Sequence, residues 1–104
     1  MYARNVTFRI KANTQSDYTH TFENQILPLL QKQKGFMEAI TLCNAGSPEV
    51  VSISLWEQKS NADDYNTRTY PEVLKTLAKV IDGTPRILTF ETVVSTFHNV
   101  QAAA

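Results

Sequence analysis

Four aromatic side chains are the residues best suited to hold a small planar molecule. Trp56 carries an indole that can stack on a flat ring and donate its N–H, and Tyr18, Tyr65 and Tyr70 can each supply a hydroxyl. All four also fit an ordinary core, because aromatic residues at helical spacing or at a strand end usually pack inside. The pattern therefore indicates a small pocket between helices and sheet, bordered by Trp56 and Tyr65, or alternatively a filled core.

The side chains that usually perform acid–base, nucleophilic or metal chemistry are sparse. His20 falls on a predicted helix and His98 at the end of the last predicted strand, and nothing pairs either with a nucleophile. The one cysteine, Cys43, is expected to be an inert packed thiol, and no cluster has metal-ligand spacing. Three glycines at predicted turns do not form a phosphate-binding loop. We therefore expect neither a metal nor a cofactor.

Length and charge place these residues in one small domain. The chain has 104 residues with ten basic and ten acidic side chains, so its formal charge is zero. Without a basic cluster, nucleic acid is not an expected partner. No apolar run is long enough to cross a membrane and the N-terminus lacks a signal-peptide pattern, which predicts a cytoplasmic protein. We expect one domain over residues 1–100 and a frayed tail at residues 101–104.

Alternating apolar residues predict four strands. In the first strand Val6, Phe8 and Ile10 alternate with polar residues. The other predicted strands span residues 36–43, 49–56 and 86–97. The second and third form a hairpin across a dense turn signal, and the fourth follows a turn at residues 82–85.

Two amphipathic stretches predict helices between the strands. The first is expected to begin at a Ser16 N-cap and to be kinked at Pro28, which removes a backbone hydrogen bond. The second is expected to begin at Ser60, with an acidic residue three positions later, as in a capping box. It is interrupted at Tyr70-Pro71, because the residue before a proline is pushed out of helical geometry.

The element order predicts an α+β, ferredoxin-like βαββαβ fold, with two helices on one face of a four-stranded antiparallel sheet. The second and fourth strands carry apolar residues on both faces, although one helical layer covers only one face. Back-to-back packing of two sheets in a two-fold homodimer covers the other face. The alternative is that polar and apolar residues share these faces only because strands tolerate threonine and serine. We expect the homodimer.

Four short motifs, together with this element order, resemble those of one known family. They are Lys34-Gly35-Phe36 before the second strand, Ser54-Leu55-Trp56-Glu57 at the end of the third, Tyr70-Pro71-Glu72-Val73-Leu74 in the second helix and Gly83-Thr84-Pro85 after it. Nearly the whole chain resembles the antibiotic biosynthesis monooxygenase family, whose members are dimeric α+β barrels. The family includes cofactor-free oxygenases of polycyclic phenols, quinol oxygenases, haem-degrading enzymes and members of no established function.

The resemblance implies four candidate site residues. In the phenol oxygenases a tryptophan at the place of Trp56 lines the cavity, and an asparagine stands four residues earlier, where this chain has Ser52. In the haem-degrading relatives a strand-one asparagine corresponds to Asn5, and Tyr65 stands in place of a tryptophan. Lys75 stands where those relatives have an iron-ligating histidine, and a protonated lysine has no lone pair for iron. We therefore expect no productive haem binding.

Two functions are compatible with these patterns. The first is a cofactor-independent monooxygenase acting on a small phenolic or quinol-type molecule, with Trp56, Tyr65, Asn5 and Ser52 as substrate-binding candidates and no assignable catalytic residue. The second is a non-catalytic dimeric α+β barrel module that binds a small metabolite. The near-complete resemblance favours the first, and the lack of an identifiable base in the predicted pocket favours the second.

Overall fold

In a computed structural model, which describes residues 1–96, four strands alternate with two divided helical segments. The strands are β1 (Tyr2–Ile10), β2 (Phe36–Cys43), β3 (Glu49–Trp56) and β4 (Ile81–Glu91). The helical segments are α1 (Gln15–Thr21), a π-helical turn (Phe22–Ile26) and α2 (Leu27–Gln31), followed after β3 by α3 (Lys59–Arg68) and α4 (Tyr70–Leu77). The predicted β-α-β-β-α-β order is confirmed. His98 and the expected tail lie outside the described residues.

The four strands form one antiparallel sheet in the order β2-β3-β1-β4. The bounds of β2 and β3 match the predicted hairpin. One row of residues crosses all four strands: Ile40 lies opposite Ile53, Ile53 opposite Asn5, and Asn5 opposite Leu88. With the helices packed on one side of this sheet, the α+β ferredoxin-like fold is confirmed.

Even-numbered residues of β1 and β3 point to the face that the helices cover, which we call the covered face. Val6, Phe8, Val50 and Trp56 are buried there. From the helices, the core receives Tyr18, Ile26, Leu30, Ala62, Tyr65, Tyr70, Val73 and Leu77. The opposite side, which we call the open face, carries the odd-numbered residues of these strands and has no layer over it within residues 1–96.

Prolines divide both helical segments. Directly before Pro28, the chain forms the π-helical turn, in which a backbone N–H donates to the carbonyl five residues earlier. The break predicted at this proline therefore takes the form of a widened turn. In the second segment Pro71 lies in the first turn of α4, and the break falls at Thr69 rather than at Tyr70, which is already helical. Within residues 1–96 no helix is long and apolar enough to span a membrane.

Both helical segments have their N-caps two residues before the predicted positions. The first is capped at Thr14 instead of Ser16, and the second at Gln58 instead of Ser60. At the second cap the Gln58 N–H donates to Oδ1 of Asn61 at 3.1 Å. Amide side chains can close a cap in the same way as the hydroxyl and carboxylate pair that the sequence suggested.

The fourth strand begins earlier than predicted, because residues 82–85 extend it instead of forming a turn. Ile81 already pairs with Ile10 of β1, and an irregularity in the register follows. Gly83 has φ of +82°, which glycine adopts without strain. Pro85 is tolerated because β4 lies at the edge of the sheet, where one side of the strand needs no partner.

Candidate functional site

A narrow cavity lies between the helical layer and the covered face. Its polar lining residues are Arg4, Tyr18, Ser52, Ser54, Tyr65 and Tyr70, and its apolar lining includes Val6, Phe8, Phe22, Ile26, Leu30, Val73 and Leu77. Its volume is about 40 Å³, far below the several hundred Å³ of a typical small-molecule pocket. The lining side chains must therefore move apart before anything larger than a few waters can enter.

Tyr65 reaches the cavity from α3 and is one of the predicted site residues that line it. Its ring centroid lies 5.2 Å from that of Trp56 and 6.2 Å from that of Tyr70. Burial raises the pKa of Tyr65 to about 12, although the nearby Arg4 charge acts in the opposite direction. The phenol is therefore protonated at neutral pH and can donate a hydrogen bond.

Tyr18 enters the cavity from α1 on the other side. The side chain is buried, and its ring packs 5.3 Å from Phe8 and 6.0 Å from Phe22, between centroids. Burial raises the pKa of Tyr18 to about 12, and the neighbouring hydroxyls of Thr41 and Ser52 act against that rise. Tyr18 is therefore a second protonated phenol on the cavity wall.

Ser52 lines the cavity from the middle of β3. It lies opposite Val6 of β1, so its side chain points to the covered face. Its hydroxyl interacts with the phenol of Tyr18. Ser52 thus belongs to a small group of hydroxyls, with Tyr18 and Ser54, along one wall.

Trp56 lies behind the cavity wall and does not line the cavity itself, contrary to the prediction. It is completely buried, and its Nε1–H donates to Oγ of Ser54 at 2.9 Å. Phe36 meets the indole edge-on at a centroid distance of 5.5 Å, and Tyr65 packs against it on another side. Trp56 therefore holds two lining residues, Ser54 and Tyr65, in place.

Asn5, the remaining candidate, lies outside the cavity. Its position in β1 places it on the open face, in register with Ile53 and Leu88. Its Oδ1 accepts a hydrogen bond from Oγ1 of Thr7 at 3.2 Å on that same face. The only register shift between β1 and β4 falls later, between residues 7 and 9, so nothing turns Asn5 inwards.

Arg4 is the charged residue of the site. It is only 3% exposed, and its Nη2 donates to Oδ1 of Asn66 at 2.9 Å. The guanidinium carbon lies 4.1 Å from the ring centroid of Tyr70 and 5.2 Å from that of Tyr65. Burial lowers the pKa of Arg4, and the two phenols act in the opposite direction. An arginine nevertheless stays charged at neutral pH, so the cavity wall carries a buried cation.

The importance of Arg4 was not predicted, although the signal was present. Val6, Phe8 and Ile10 define the covered side of β1, and the same alternation extended back by two residues places Arg4 on that side. A charged residue in phase with an apolar stripe is unusual, because arginine is rarely fully buried without a partner. The position of Arg4 in the apolar alternation of β1 is therefore the sequence feature that would have identified this residue.

The chemistry available in the cavity is hydrogen-bond donation beside a positive charge. Among the described residues that line it there is no carboxylate, histidine, cysteine or lysine. Within residues 1–96 no three histidine, cysteine or acidic side chains lie close enough together to hold a metal ion. His20 and Cys43 are both exposed and lie outside the cavity. The site can bind, orient and polarise a ligand more readily than it can remove a proton.

Comparison with known proteins supports the fold and gives no closer relative. No protein-family model matches the chain, and no curated protein matches it. Solved structures do match, including one from Nitrosomonas europaea named "Putative antibiotic biosynthesis monooxygenase", with a TM-score of 0.74, 16% identity and coverage of 90% of this chain and 100% of the other. A further similar structure, also from Nitrosomonas europaea, is described as a protein of unknown function.

Two other similar structures are named for oxygenation. One is a monooxygenase from the gene ActVA-Orf6 of Streptomyces coelicolor in complex with Nanaomycin D, with a TM-score of 0.75, 16% identity and coverage of 90% of this chain and 88% of the other. The second is SnoaB, a cofactor-independent oxygenase from Streptomyces nogalater, with a TM-score of 0.75, 12% identity and coverage of 91% and 95%. The expected resemblance to antibiotic biosynthesis monooxygenases is therefore confirmed for the fold.

Proposed function

We propose that the protein is a cofactor-independent monooxygenase acting on a small phenolic or quinol-type molecule. The observation that carries this proposal is the narrow cavity whose walls hold three tyrosines and two serines among apolar side chains. Phenols and serine hydroxyls suit the oxygens of such a molecule, and the aromatic rings suit its flat carbon skeleton. The monooxygenase names of structures with the same fold support this class of reaction.

The reaction needs molecular oxygen as its only co-reactant. An electron-rich ring carbon forms a C–O bond with oxygen, and the resulting hydroperoxide loses water to leave a carbonyl group. When a phenol becomes a quinone, one oxygen atom enters the product and the other leaves as water, and the substrate supplies all four electrons. The protein then contributes a dry cavity and a fixed orientation of the ring.

Tyr65 and Ser52 are the predicted site residues to which we assign contact with the substrate, since both line the cavity. Trp56 is assigned a positioning role, because it contacts Tyr65 and binds the hydroxyl of Ser54. Tyr18 joins the contact residues because it is buried and protonated opposite Tyr65. Each of the three contact residues can hold a substrate oxygen without exchanging a proton.

The second candidate function is a non-catalytic module that binds a small metabolite. The observation that favours it is the composition of the cavity wall, which within the described residues offers no group with a free basic site at neutral pH. A substrate that must lose a proton before it reacts with oxygen would have to arrive already ionised, or to lose the proton to water. Binding without turnover is the outcome that this function predicts.

We also propose that two copies associate through the open face. Ile40, Leu42, Leu88 and Phe90 are 38–53% exposed on this face, and Ile53 lies between them. These apolar residues lie on β2, β3 and β4, and exposed apolar patches of this kind mark contacts with other molecules. A two-fold dimer would bury the same patch of each copy against the other and leave both cavities separate.

Haem breakdown is a function that we do not expect. The cavity's possible axial donors among the described residues are phenols, and ligation requires a phenolate. Burial raises the pKa of Tyr65 to about 12, which opposes formation of that phenolate. Lys75, at the place of the iron-ligating histidine in the haem-degrading relatives, is exposed and lies outside the cavity. Titration with hemin should give no saturable one-to-one complex with a sharp, shifted Soret band.

The proposed activity is tested by oxygen consumption with a panel of hydroquinones, naphthols and polycyclic phenols. We expect uptake with at least one of them, and a loss of about tenfold or more in Tyr65→Phe, because that hydroxyl holds the substrate. Tyr2→Phe is the matched control, since Tyr2 lies outside the cavity and should leave the rate unchanged. Tight binding of a panel member without any oxygen uptake would instead support the binding module.

A further inference from the structure

The cation inside the cavity lacks an acidic partner. Within residues 1–96 the ion pairs join Arg9 to Glu49 and Lys59 to Asp63, and none includes Arg4. The groups that influence the ionisation of Arg4 are the phenols of Tyr65 and Tyr70, with no carboxylate among them. A buried charge is normally paired, because removing it from water is costly. The unpaired Arg4 therefore differs from the exposed ion pairs of this chain.

The arrangement around Arg4 fixes the guanidinium and leaves part of it available. Asn66 accepts one hydrogen bond from Nη2, and the rings of Tyr70 and Tyr65 lie beside the guanidinium carbon. An amide oxygen and aromatic rings orient a guanidinium without neutralising its charge. The hydroxyl of Tyr70 also interacts with the guanidinium. Arg4 lines both this cavity and a second hollow beside Asn66 and Thr89, so the side chain borders open space in each.

A purely structural role for Arg4 explains its burial without a carboxylate less well than ligand binding does. Contact with two aromatic rings stabilises a cation by less than a carboxylate would, and neutral Met or Leu would fill the same space without desolvating a charge. Asp63 also lines the hollow, but its Oδ2 binds Nζ of Lys59 at 3.0 Å. The nearest acidic side chain in that hollow is thus engaged elsewhere.

We infer that Arg4 is the counter-ion for a small aromatic anion, and specifically that it binds the oxygen of a phenolate inside the cavity. The inference deepens the proposed function, since it assigns the ionised form of the phenol as the species bound, but it does not depend on reaction with oxygen. The phenolate oxygen completes the hydrogen bonding of the guanidinium, and the protonated phenols of Tyr18 and Tyr65 can donate to the same ligand. The phenol gives its proton to water when it binds as the phenolate, so no protein base is needed.

The test uses 4-nitrophenol, whose phenolate absorbs visible light, and its neutral ether 4-nitroanisole as probes. The native protein should bind the phenol about 10- to 100-fold more tightly than the ether, the range expected for a charge-assisted hydrogen bond. The visible band should also grow on binding at a pH where the free phenol is mostly neutral, because an adjacent cation lowers the pKa of the bound phenol.

Three variants separate the role of Arg4 from folding. Arg4→Met should lose the preference for the phenol while binding the ether as before, and Arg4→Lys should keep part of the preference. Arg9→Met is the matched control, because Arg9 is exposed on the same strand and should change neither affinity. Equal binding of phenol and ether by the native protein, no binding of either probe, or an unchanged preference in Arg4→Met would each overturn the inference. Phenolate binding without oxygen uptake would overturn only the oxygenase.

Discussion

In the middle of β3, between the buried Val50 and Trp56, the covered face carries Ser52 and Ser54, whereas the open face carries Val51, Ile53 and Leu55. Sheets with one covered side usually turn their apolar residues to the helices and their polar residues to water. Here the polar groups line the narrow cavity, and the aliphatic groups lie where no helix of the described chain reaches. We propose that the covered face binds a small ligand and that the open face contacts another protein surface.

The largest expected effect comes from placing a charge on the open face. Leu88→Arg should weaken dimerisation by about 100-fold or more, because the two-fold contact would bury two unpaired cations at several kcal/mol each. Light scattering after size exclusion should then give the mass of one chain at concentrations where the native protein gives two. Thr67→Arg on the exposed surface of α3 is the control. A native monomer, or a variant that still pairs, would contradict the role of this face.

The covered face should make the protein sensitive to alkali. Tyr18 and Tyr65 have pKa values raised from 10.0 to about 12 in the folded chain, so the unfolded chain loses these protons first. The free energy of unfolding should be unaffected below pH 10 and fall between pH 10 and about 12, by about 2–3 kcal/mol for each group. Urea unfolding at fixed protein concentration measures the free energy of unfolding at each pH. Tyr18→Phe and Tyr65→Phe should each remove part of its decrease above pH 10. Phenol ionisation near pH 10 in the folded protein would contradict it.

Loss of one buried hydroxyl should have a moderate effect. Ser54→Ala leaves the Nε1–H of Trp56 without its acceptor, which should lower the free energy of unfolding by about 1–3 kcal/mol. Ser60→Ala makes the same chemical change at an exposed position and should cost less than about 0.5 kcal/mol. Equal denaturation midpoints for the two variants would mean that the covered hydroxyls contribute little to stability.

The smallest expected effect on stability concerns the buried cation. Arg4→Met should leave the free energy of unfolding unchanged or raise it by about 1 kcal/mol, because methionine fills similar space without burying a charge. Arg9→Met should be neutral as well, since its ion pair is long and exposed. Chemical denaturation compares the two variants. A loss of more than about 2 kcal/mol in Arg4→Met would make the guanidinium a structural element and weaken the assignment of this face to a ligand.

Alternation along the strands was enough to predict most of the sheet. The residues of β2 and β3, their hairpin and the β-α-β-β-α-β order follow from apolar periodicity and one dense turn signal. The start of β4 could not be predicted in the same way, because Gly83 and Pro85 are typical of turns. Only the position of β4 at the edge of the sheet makes these residues compatible with a strand.

The candidate site was predictable only in part, because it depends on which way each side chain points. Tyr65 and Ser52 line the cavity, but Trp56 lies one layer behind it and Asn5 lies on the opposite face. The parity of Asn5 already placed it out of phase with Val6, and only the family resemblance had suggested it. Whether an aromatic side chain lines a cavity or supports its wall is decided by tertiary packing, which no sequence period encodes.

Trp56 gives the molecule an optical reporter that requires no label. It is the single tryptophan of the chain and is completely buried, with one ring neighbour, Tyr65, between it and the cavity. Its emission therefore comes from one known environment, and a ligand that displaces Tyr65 alters that environment without touching the indole. Light emitted by a residue outside the site thus records whether the cavity is occupied.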